Sequence, residues 1–521
     1  MIEIPASEVM QSMPESINEI TKSWSGASRD CVALVEAAGT WTYGQLNDAI
    51  ERASAWLVES GVRPGDRVMI VCENCRALVA IFLALIRIDA WPVLANARLS
   101  AREVDDIRDH SGARRVIYTT RVSPHATQHA KRHGAIIAEA AGIDTIGFGP
   151  LNGKVQPEPV DNDIANRIAA VIYTSGTTGL PKGVLLTHRN LLFIAIVSAK
   201  IRALTSNDRL YAVLPMSHAV GLSVVLLGTL ISGASLYLVP RFDPVAALTA
   251  LERDQLSIVL GVPSMFALWA EYAKSKGMQR LKFPALRVIS SSGAPLQPAV
   301  KSAVESLFGM TLHNGYGVTE CSPTIAQARL DEPRTDLSVG RVLPGVEIKL
   351  VGLDGGSVTD GEVGELRVRG PNISKGYYRA PEETAAAIDS EGWFNTRDLA
   401  RLEDGHLFIV GRTKELIVRF GMNVYPAEVE AVLNEHPGVA RSAVIGRSVQ
   451  GVEGGEEIIA FVQLSPNSQP TVTEIAEYAG KNLAPYKRPS QILIVAEMPL
   501  TPTGKVRKEE LAKMAPSTQR Q

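Results

Sequence analysis

The sequence predicts an α/β protein in two unequal parts: a large N-terminal domain of βαβ sheets with a β-rich subdomain, and a small α+β C-terminal domain. Three features predict it. Short β-rich runs alternate with helical patterns over most of the chain, as parallel sheets with crossover helices require. After about Gly345 the texture changes to shorter strands separated by Gly- and Asp-rich turns. Beyond Gly411-Arg-Thr-Lys-Glu415 a compact pattern of helices and strands runs to the end, which places the boundary between residues 413 and 414. At 521 residues the chain exceeds one ordinary core, so at least two domains are required.

In chain order, residues 67–71, 115–118, 209–214, 257–260 and 286–290 are apolar runs of strand length and mark the N-terminal sheets. Residues 219–240 carry no charge and are long enough for a membrane span, but Gly221, Gly228 and Gly233 with Ser223, Ser232 and Ser235 divide them. A buried helix over 222–230 feeding a buried strand over 235–239 is expected instead. Runs at 347–351, 364–369 and 407–410 form the β-rich subdomain. The C-terminal pattern gives a helix at 426–434, strands at 442–445 and 458–464, a helix at 473–483 and a strand at 491–495; the tail 515–521 is expected to be disordered.

With 53 basic and 55 acidic residues, no broad field draws the chain to nucleic acid or an anionic membrane, so small-molecule partners are expected. Cys72 and Cys75 have a metal-like spacing, but Cys31 and Cys321 supply no second pair for a tetrahedral site. Four thiols without a disulfide framework suit a reducing compartment. The N-terminus is acidic where a secretory signal is basic, so a cytoplasmic location is expected.

Tyr173-Thr-Ser-Gly-Thr-Thr-Gly-Leu-Pro-Lys-Gly-Val184 follows an apolar, strand-like run and carries the strongest chemical signal. Its glycines let the backbone approach an anion, Ser175, Thr177 and Thr178 offer hydroxyl donors, and Lys182 offers a point charge, as a polyphosphate cradle needs. It is not the common phosphate loop, which ends Gly-Lys-Ser/Thr, and no Gly-x-Gly-x-x-Gly follows a strand. A flexible linker has similar composition but needs neither the strand-like lead-in nor the closing Pro-Lys-Gly.

Three further groupings gain meaning beside that loop. Asn314-Gly-Tyr-Gly-Val-Thr-Glu320 reads as a glycine-relaxed turn, with Tyr316 to pack on a purine, Thr319 to reach phosphate and Glu320 to hold Mg²⁺; a surface hairpin is the plain alternative. Asp398 and Arg412 supply a ribose acceptor and a guanidinium near the domain junction, or else an ordinary ion pair. Lys505 follows a Pro-flanked turn near the chain end and by itself reads as a solvated charge; delivered by a separate domain, its ammonium would instead offset charge in an acyl-phosphate transition state.

Taken together, these residues closely resemble the adenylate-forming superfamily of acyl- and aryl-CoA synthetases, peptide-synthetase adenylation domains and beetle luciferases. The resemblance spans essentially the whole chain through motifs at 173–184, 214–218, 291–296, 315–320, 392–398, 411–415, 421–430 and 501–505. It implies that Thr174, Ser175, Gly176, Thr177, Thr178, Gly179 and Lys182 hold the β- and γ-phosphates of ATP, with Thr319 on phosphate and Glu320 on Mg²⁺. Ser292, Gly293, Ala294, Pro295, Asn314, Gly315, Tyr316 and Gly317 are implied around adenine, and Asp398 with Arg412 at the ribose. Lys505 is implied as the catalyst of acyl-AMP formation, Lys414 as the hinge of a mobile lid domain, and Gly421, Met422 and Asn423 as the residues that meet coenzyme A.

Ser217, His218, Gly221, Ser290, Ser291, Gly317, Val318, Ser322 and Pro323 map to the superfamily's acyl pocket, with His218 read equally as a substrate contact or a packed histidine. The small residues leave room for a ring, which favours an aromatic acid of benzoate or hydroxycinnamate size over a medium-chain fatty acid. Between Leu210 and Pro240 there is no Asp or Glu to pair an α-ammonium, which disfavours an amino-acid-activating module. A non-catalytic nucleotide-binding regulator is expected to lose Lys505, Glu320 or Asp398, and all three are present. A carrier-loading acyl-AMP ligase and a homodimeric assembly both stay open. Three residues depart from the superfamily pattern: Arg397 and Ser292 at positions often Gly, and Val418 where plant coumarate ligases and luciferases carry lysine.

Overall fold

The computed structural model describes residues 6–22, 24, 28–174, 181–419, 422–448, 456–465, 468–500 and 506–515. Two large sheets dominate the N-terminal part. In the first, the strands Arg67–Cys72, Trp91–Asn96, Arg115–Tyr118 and Ile168–Thr174 run parallel, and Lys182–Thr187 closes one edge as an antiparallel hairpin with Ile168–Thr174. In the second, Ser235–Leu238, Arg209–Ala212, Ile258–Gly261, Val288–Ser291 and Leu312–Gly317 run parallel, and Thr324–Gln327 turns back antiparallel.

Parallel strands covered on both faces must be apolar throughout, and Arg67–Cys72 is buried at every residue. The helices Arg76–Arg87 and His188–Ile201 are apolar nearly all round and share one core with strands of both sheets. Cys72, Cys75 and Cys321 lie inside that core. Among the described residues no helix is long and apolar enough to cross a membrane. The uncharged segment folds as expected into a buried helix and strand, but its first part, Val220–Leu227, winds as a π-helix.

Past Gly345 the strands Glu347–Val351, Val363–Arg369, Phe394–Glu403 and His406–Arg412 form an antiparallel meander. From Ile417 onward the chain builds apolar clusters of its own. There Val439–Ser448, Glu456–Leu464 and Gln491–Val495 make a three-stranded sheet. Pro426–Glu435 and Val472–Asn482 pack on one face through Val429, Leu433, Ile475 and Ala479, and Lys508–Met514 packs on the other through Leu511. The expected disorder of the tail concerns residues that, apart from Ala515, lie outside those described.

One expectation is corrected. Residues 314–317 are the end of the strand Leu312–Gly317, not a turn; only Thr319–Cys321 turns, as a single 3₁₀ helix. Glycine makes this close pairing possible: a Cβ on Gly317 would sit 2.0 Å from the Pro323 carbonyl oxygen.

Candidate active site

The hairpin of Ile168–Thr174 and Lys182–Thr187 is set by its register, which pairs Tyr173 with Gly183 and Thr174 with Lys182. Ser175, Gly176, Thr177, Thr178 and Gly179 lie outside the described residues, as do Gly421 and Lys505. Thr174 and Lys182 are half-buried at the hairpin's open end. A segment far along the chain runs beside the outer strand: Leu185 N–H donates to Gly376 O (2.9 Å), Lys375 N–H to Leu185 O (3.0 Å) and Tyr378 N–H to Gly183 O (2.7 Å). Asn190 fastens it through bonds of 2.8 Å to Pro371 O and Ile373 O.

This segment brings a residue that motif reading missed. The Tyr377 hydroxyl donates to Glu320 Oε1 at 2.9 Å, and the Lys182 ammonium stands 5.3 Å from the centre of the Tyr377 ring. Lys182, Tyr377 and Glu320 therefore form one continuous contact. Burial and the Glu320 carboxylate both push the Tyr377 phenol above its ordinary pKa, so it stays a donor. The Glu320 turn is held from two sides, by Ser374 N–H on Glu320 O (2.8 Å) and by Asn372 Nδ2 on Cys321 O (3.2 Å) and Thr324 O (3.3 Å). No local spacing announces Tyr377; only the polar aromatic run Gly376-Tyr-Tyr-Arg379 signals it.

Asp398 is buried, with 3% exposure, and accepts from the Tyr316 hydroxyl on one oxygen and from Arg412 Nε at 3.0 Å on the other. Burial and the adjacent Asp398 carboxylate hold the Tyr316 phenol neutral, well above its ordinary range. Burial works against the Arg412 charge, but Asp398 and Glu415 outweigh it and raise its pKa. Arg397 has a φ of 57°, the left-handed region that favours glycine, which explains in physical terms why the superfamily often has Gly there.

Ser290, Ser292, Gly293, Gly315, Tyr316, Gly317 and Pro323 come together around one small cavity of about 30 Å³. Val318 N–H donates to Pro323 O at 2.9 Å beside it, and Asn314 Nδ2 donates to Leu337 O at 3.1 Å. Thr319 opens the 3₁₀ turn that carries Glu320, Ala294 is half-buried and Pro295 is exposed. Ser291, Ser217, His218, Gly221 and Ser322 do not line this cavity; Val220 and Val224 of the π-helix do. Ser322 contributes its carbonyl, which accepts from Ser223 Oγ at 2.7 Å and fixes the π-helix against the Glu320 turn. A larger cleft of about 360 Å³, bounded by Trp91, Pro159, His188 and Lys375, contains none of the expected site residues.

In the C-terminal part, Met422 and Asn423 are exposed on the strand Met422–Val424 opposite Ile417–Arg419. The bridge Leu500↔Val506 and the bond from Arg507 N–H to Pro499 O (2.8 Å) join the described residues on either side of 501–505. Lys414 lies in the 3₁₀ turn Thr413–Glu415, 3.9 Å from Glu509. Burial opposes the Glu415 charge, yet Lys508, Arg412 and Lys414 together keep its pKa below the usual carboxylate range.

The AMP-binding enzyme profile matches residues 22–378, and that of the AMP-binding enzyme C-terminal domain matches residues 428–505. The chain belongs to the AMP-binding enzyme family. It falls in the acyl- and aryl-CoA synthetase branch of the adenylate-forming superfamily. This AMP-binding enzyme is 34% identical over 476 residues to a feruloyl-CoA synthase of Amycolatopsis sp, covering 90% of this chain and 93% of the relative. It is also 34% identical over 507 residues to 4-coumarate–CoA ligase 5 of rice, Oryza sativa subsp. japonica, covering 94% of this chain and 92% of that one. Among solved structures, ATP-bound MatB from Rhodopseudomonas palustris superposes with a TM-score of 0.82 at 27% identity, over 96% of this chain and 99% of the other. The ligand-free form of MatB gives 0.73, so the enzyme is more similar in overall arrangement to the ATP-bound form. The o-succinylbenzoate CoA synthetase of Bacillus subtilis, solved with its acyl-adenylate OSB-AMP, gives 0.80 at 27% identity, over 94% of this chain and 97% of that one.

Proposed function

We propose that the enzyme activates an aromatic acid of benzoate or hydroxycinnamate size with ATP and passes the acyl group to coenzyme A. The observation that carries this reading is the contact of Lys182, Tyr377 and Glu320 together with that of Tyr316, Asp398 and Arg412, and the cavity lined by Tyr316 and Gly317. The feruloyl-CoA synthase and coumarate–CoA ligase relatives support the aromatic class.

In the first half-reaction a carboxylate oxygen bonds to the α-phosphorus and the bond to pyrophosphate breaks. Lys182 neutralises charge on the departing pyrophosphate, and Asp398 orients the ribose. Glu320, a half-buried carboxylate that accepts from Tyr377, would hold Mg²⁺ together with phosphate oxygens, since Mg²⁺ takes one or two carboxylates beside them. When bound, Mg²⁺ supplies charge neutralisation at those oxygens. Lys505 stabilises the transition state of this step, and residues 174–179, 292–295 and 314–319 hold the nucleotide.

In the second half-reaction the sulfur of coenzyme A bonds to the acyl carbon and AMP leaves. The lid, residues 414–521, turns about Lys414, withdrawing Lys505 and presenting Gly421, Met422 and Asn423. No enzyme nucleophile is needed, and the compartment is the cytoplasm.

Incubation with ATP and a hydroxycinnamate, with and without coenzyme A, tests the reaction: a thioester forms only with coenzyme A. Acyl-AMP accumulating with coenzyme A present refutes it. Lys505→Ala abolishes acyl-AMP formation while largely sparing thioester formation from supplied acyl-AMP, and Lys414→Pro slows the thioester step far more than adenylation. Equal loss of both steps in either variant overturns the two-position lid.

A further inference from the structure

The cavity beside Tyr316 and Gly317 ends at a buried positive charge. Arg202 caps the helix His188–Ile201, is only 5% exposed and lines the cavity. Its Nη1 donates to Ser198 O, one turn back at 3.2 Å, while its Nε has no partner. Among the described residues no carboxylate forms an ion pair with it. The nearby acids are engaged elsewhere: Asp208 with Arg287 at 2.7 Å, and Glu305 with Lys301 at 2.6 Å. Burial alone pulls the guanidinium down to about 10, which leaves it fully charged at neutral pH.

Gln327 meets it on the same cavity. It is 1% exposed, and neither its Oε1 nor its Nε2 has a partner. A buried charge and a buried amide without partners are costly unless something enters to satisfy them. The rest of the lining is uncharged: Val220, Val224, Gly317 and Pro323 with the short hydroxyl side chains of Ser290 and Thr324. An occupant is therefore apolar in its middle, activated at one end and anionic at the other.

We propose that Arg202, assisted by Gln327, binds a second carboxylate on the acid, remote from the one being activated, so that the preferred substrate class is a dicarboxylic acid. This rests on the acid-activating reading of the site and narrows its substrate. Arg202 takes both carboxylate oxygens on its guanidinium edge, and the Gln327 amide donates to one of them. The cost of the uncompensated charge in the empty enzyme becomes discrimination against monoacids, whose apolar ends leave that charge unpaired.

The test is pyrophosphate release with two matched pairs: 4-carboxycinnamate against cinnamate, and octanedioate against octanoate. The diacid is expected to exceed its monoacid partner by about 100-fold in kcat/KM in at least one pair. In Arg202→Met that ratio collapses by about 100-fold, and Arg202→Lys restores part of it. The Met variant is expected to melt no lower than the wild type, because it removes an unpaired buried charge, so loss of fold is separable from loss of selectivity. Monoacids used as well as diacids in both pairs, neither diacid being used, or a ratio unchanged in Arg202→Met overturns the proposal. Pyrophosphate release with any acid leaves the acid-activating reading standing, and a diacid preference confined to the straight-chain pair overturns only the aromatic part of it.

Discussion

Two adjacent tyrosines allow the phosphate end of the site to be tested with an internal control. Tyr377 and Tyr378 differ by one position yet serve different carboxylates: the Tyr377 hydroxyl donates to Glu320 at 2.9 Å, and the Tyr378 hydroxyl donates to Glu158 at 2.5 Å. Tyr377→Phe removes one hydrogen bond to a charged acceptor, which is worth about 1.5–3 kcal/mol. Both Tyr377 and Glu320 are only half-buried, so the lower end applies, equivalent to about tenfold in rate. We expect kcat/KM for ATP to fall about tenfold, with KM for the acid unchanged, measured by pyrophosphate release at saturating acid. Tyr378→Phe is expected to change the same ratio less than twofold. If the two variants are equally impaired, or if Tyr377→Phe matches the wild type, Tyr377 does not position Glu320.

Acid should destabilise the fold through two buried histidines. Burial holds His188 and His313 at about 4, so the unfolded chain takes up their protons first as pH falls through 6.5, and the stability of their neutral form is lost between 6.5 and about 4. Between pH 7 and pH 5 each contributes about 2 kcal/mol, and His188→Asn should remove about half of the pH dependence in urea unfolding, a flat profile contradicting this. Gly221→Ala places a Cβ 2.1 Å from the Pro215 carbonyl oxygen and should cost about 2 kcal/mol, seen as a lower melting temperature; an unchanged one counts against the close contact. Arg397→Gly relieves a left-handed backbone and should leave the protein as stable or more so, by up to about 1 kcal/mol, whereas a clear loss shows that the arginine side chain compensates its strain.

The parts of this enzyme visible in its sequence are those encoded locally. Apolar runs of strand length located the parallel strands within two residues or so, because a strand buried on both faces admits little else; Arg67–Cys72 is the plainest case. The hydroxyl- and glycine-rich loop and the acidic, basic and aromatic residues of the later motifs announced a nucleotide site for the same reason. Tyr377 stayed hidden because its partner Glu320 is 57 residues away and a long-range hydrogen bond leaves no periodic trace. Arg202 belongs to no motif, and a single basic residue in the sequence gives no sign that it is buried on the same cavity as Val220, Val224 and Gln327. The π-helix Val220–Leu227 was illegible because an uncharged run broken only by Gly221 and Ser223 carries no clear period.

The segment 371–378 also decides how this enzyme can be taken apart. It is joined to the phosphate hairpin by backbone bonds at Gly376 and Tyr378, to the Glu320 turn by Asn372 and Tyr377, and to the helix His188–Ile201 through Asn190. The AMP-binding profile ends at residue 378, the last of these anchors. A hybrid spliced after Tyr378 keeps every one of them within a single parent, whereas one spliced before Pro371 asks two unrelated ancestries to agree on a shared network. Such a seam still parts Val363–Arg369 from its partner strand Phe394–Glu403 and Tyr316 from Asp398, so those contacts are the ones two parents have to share.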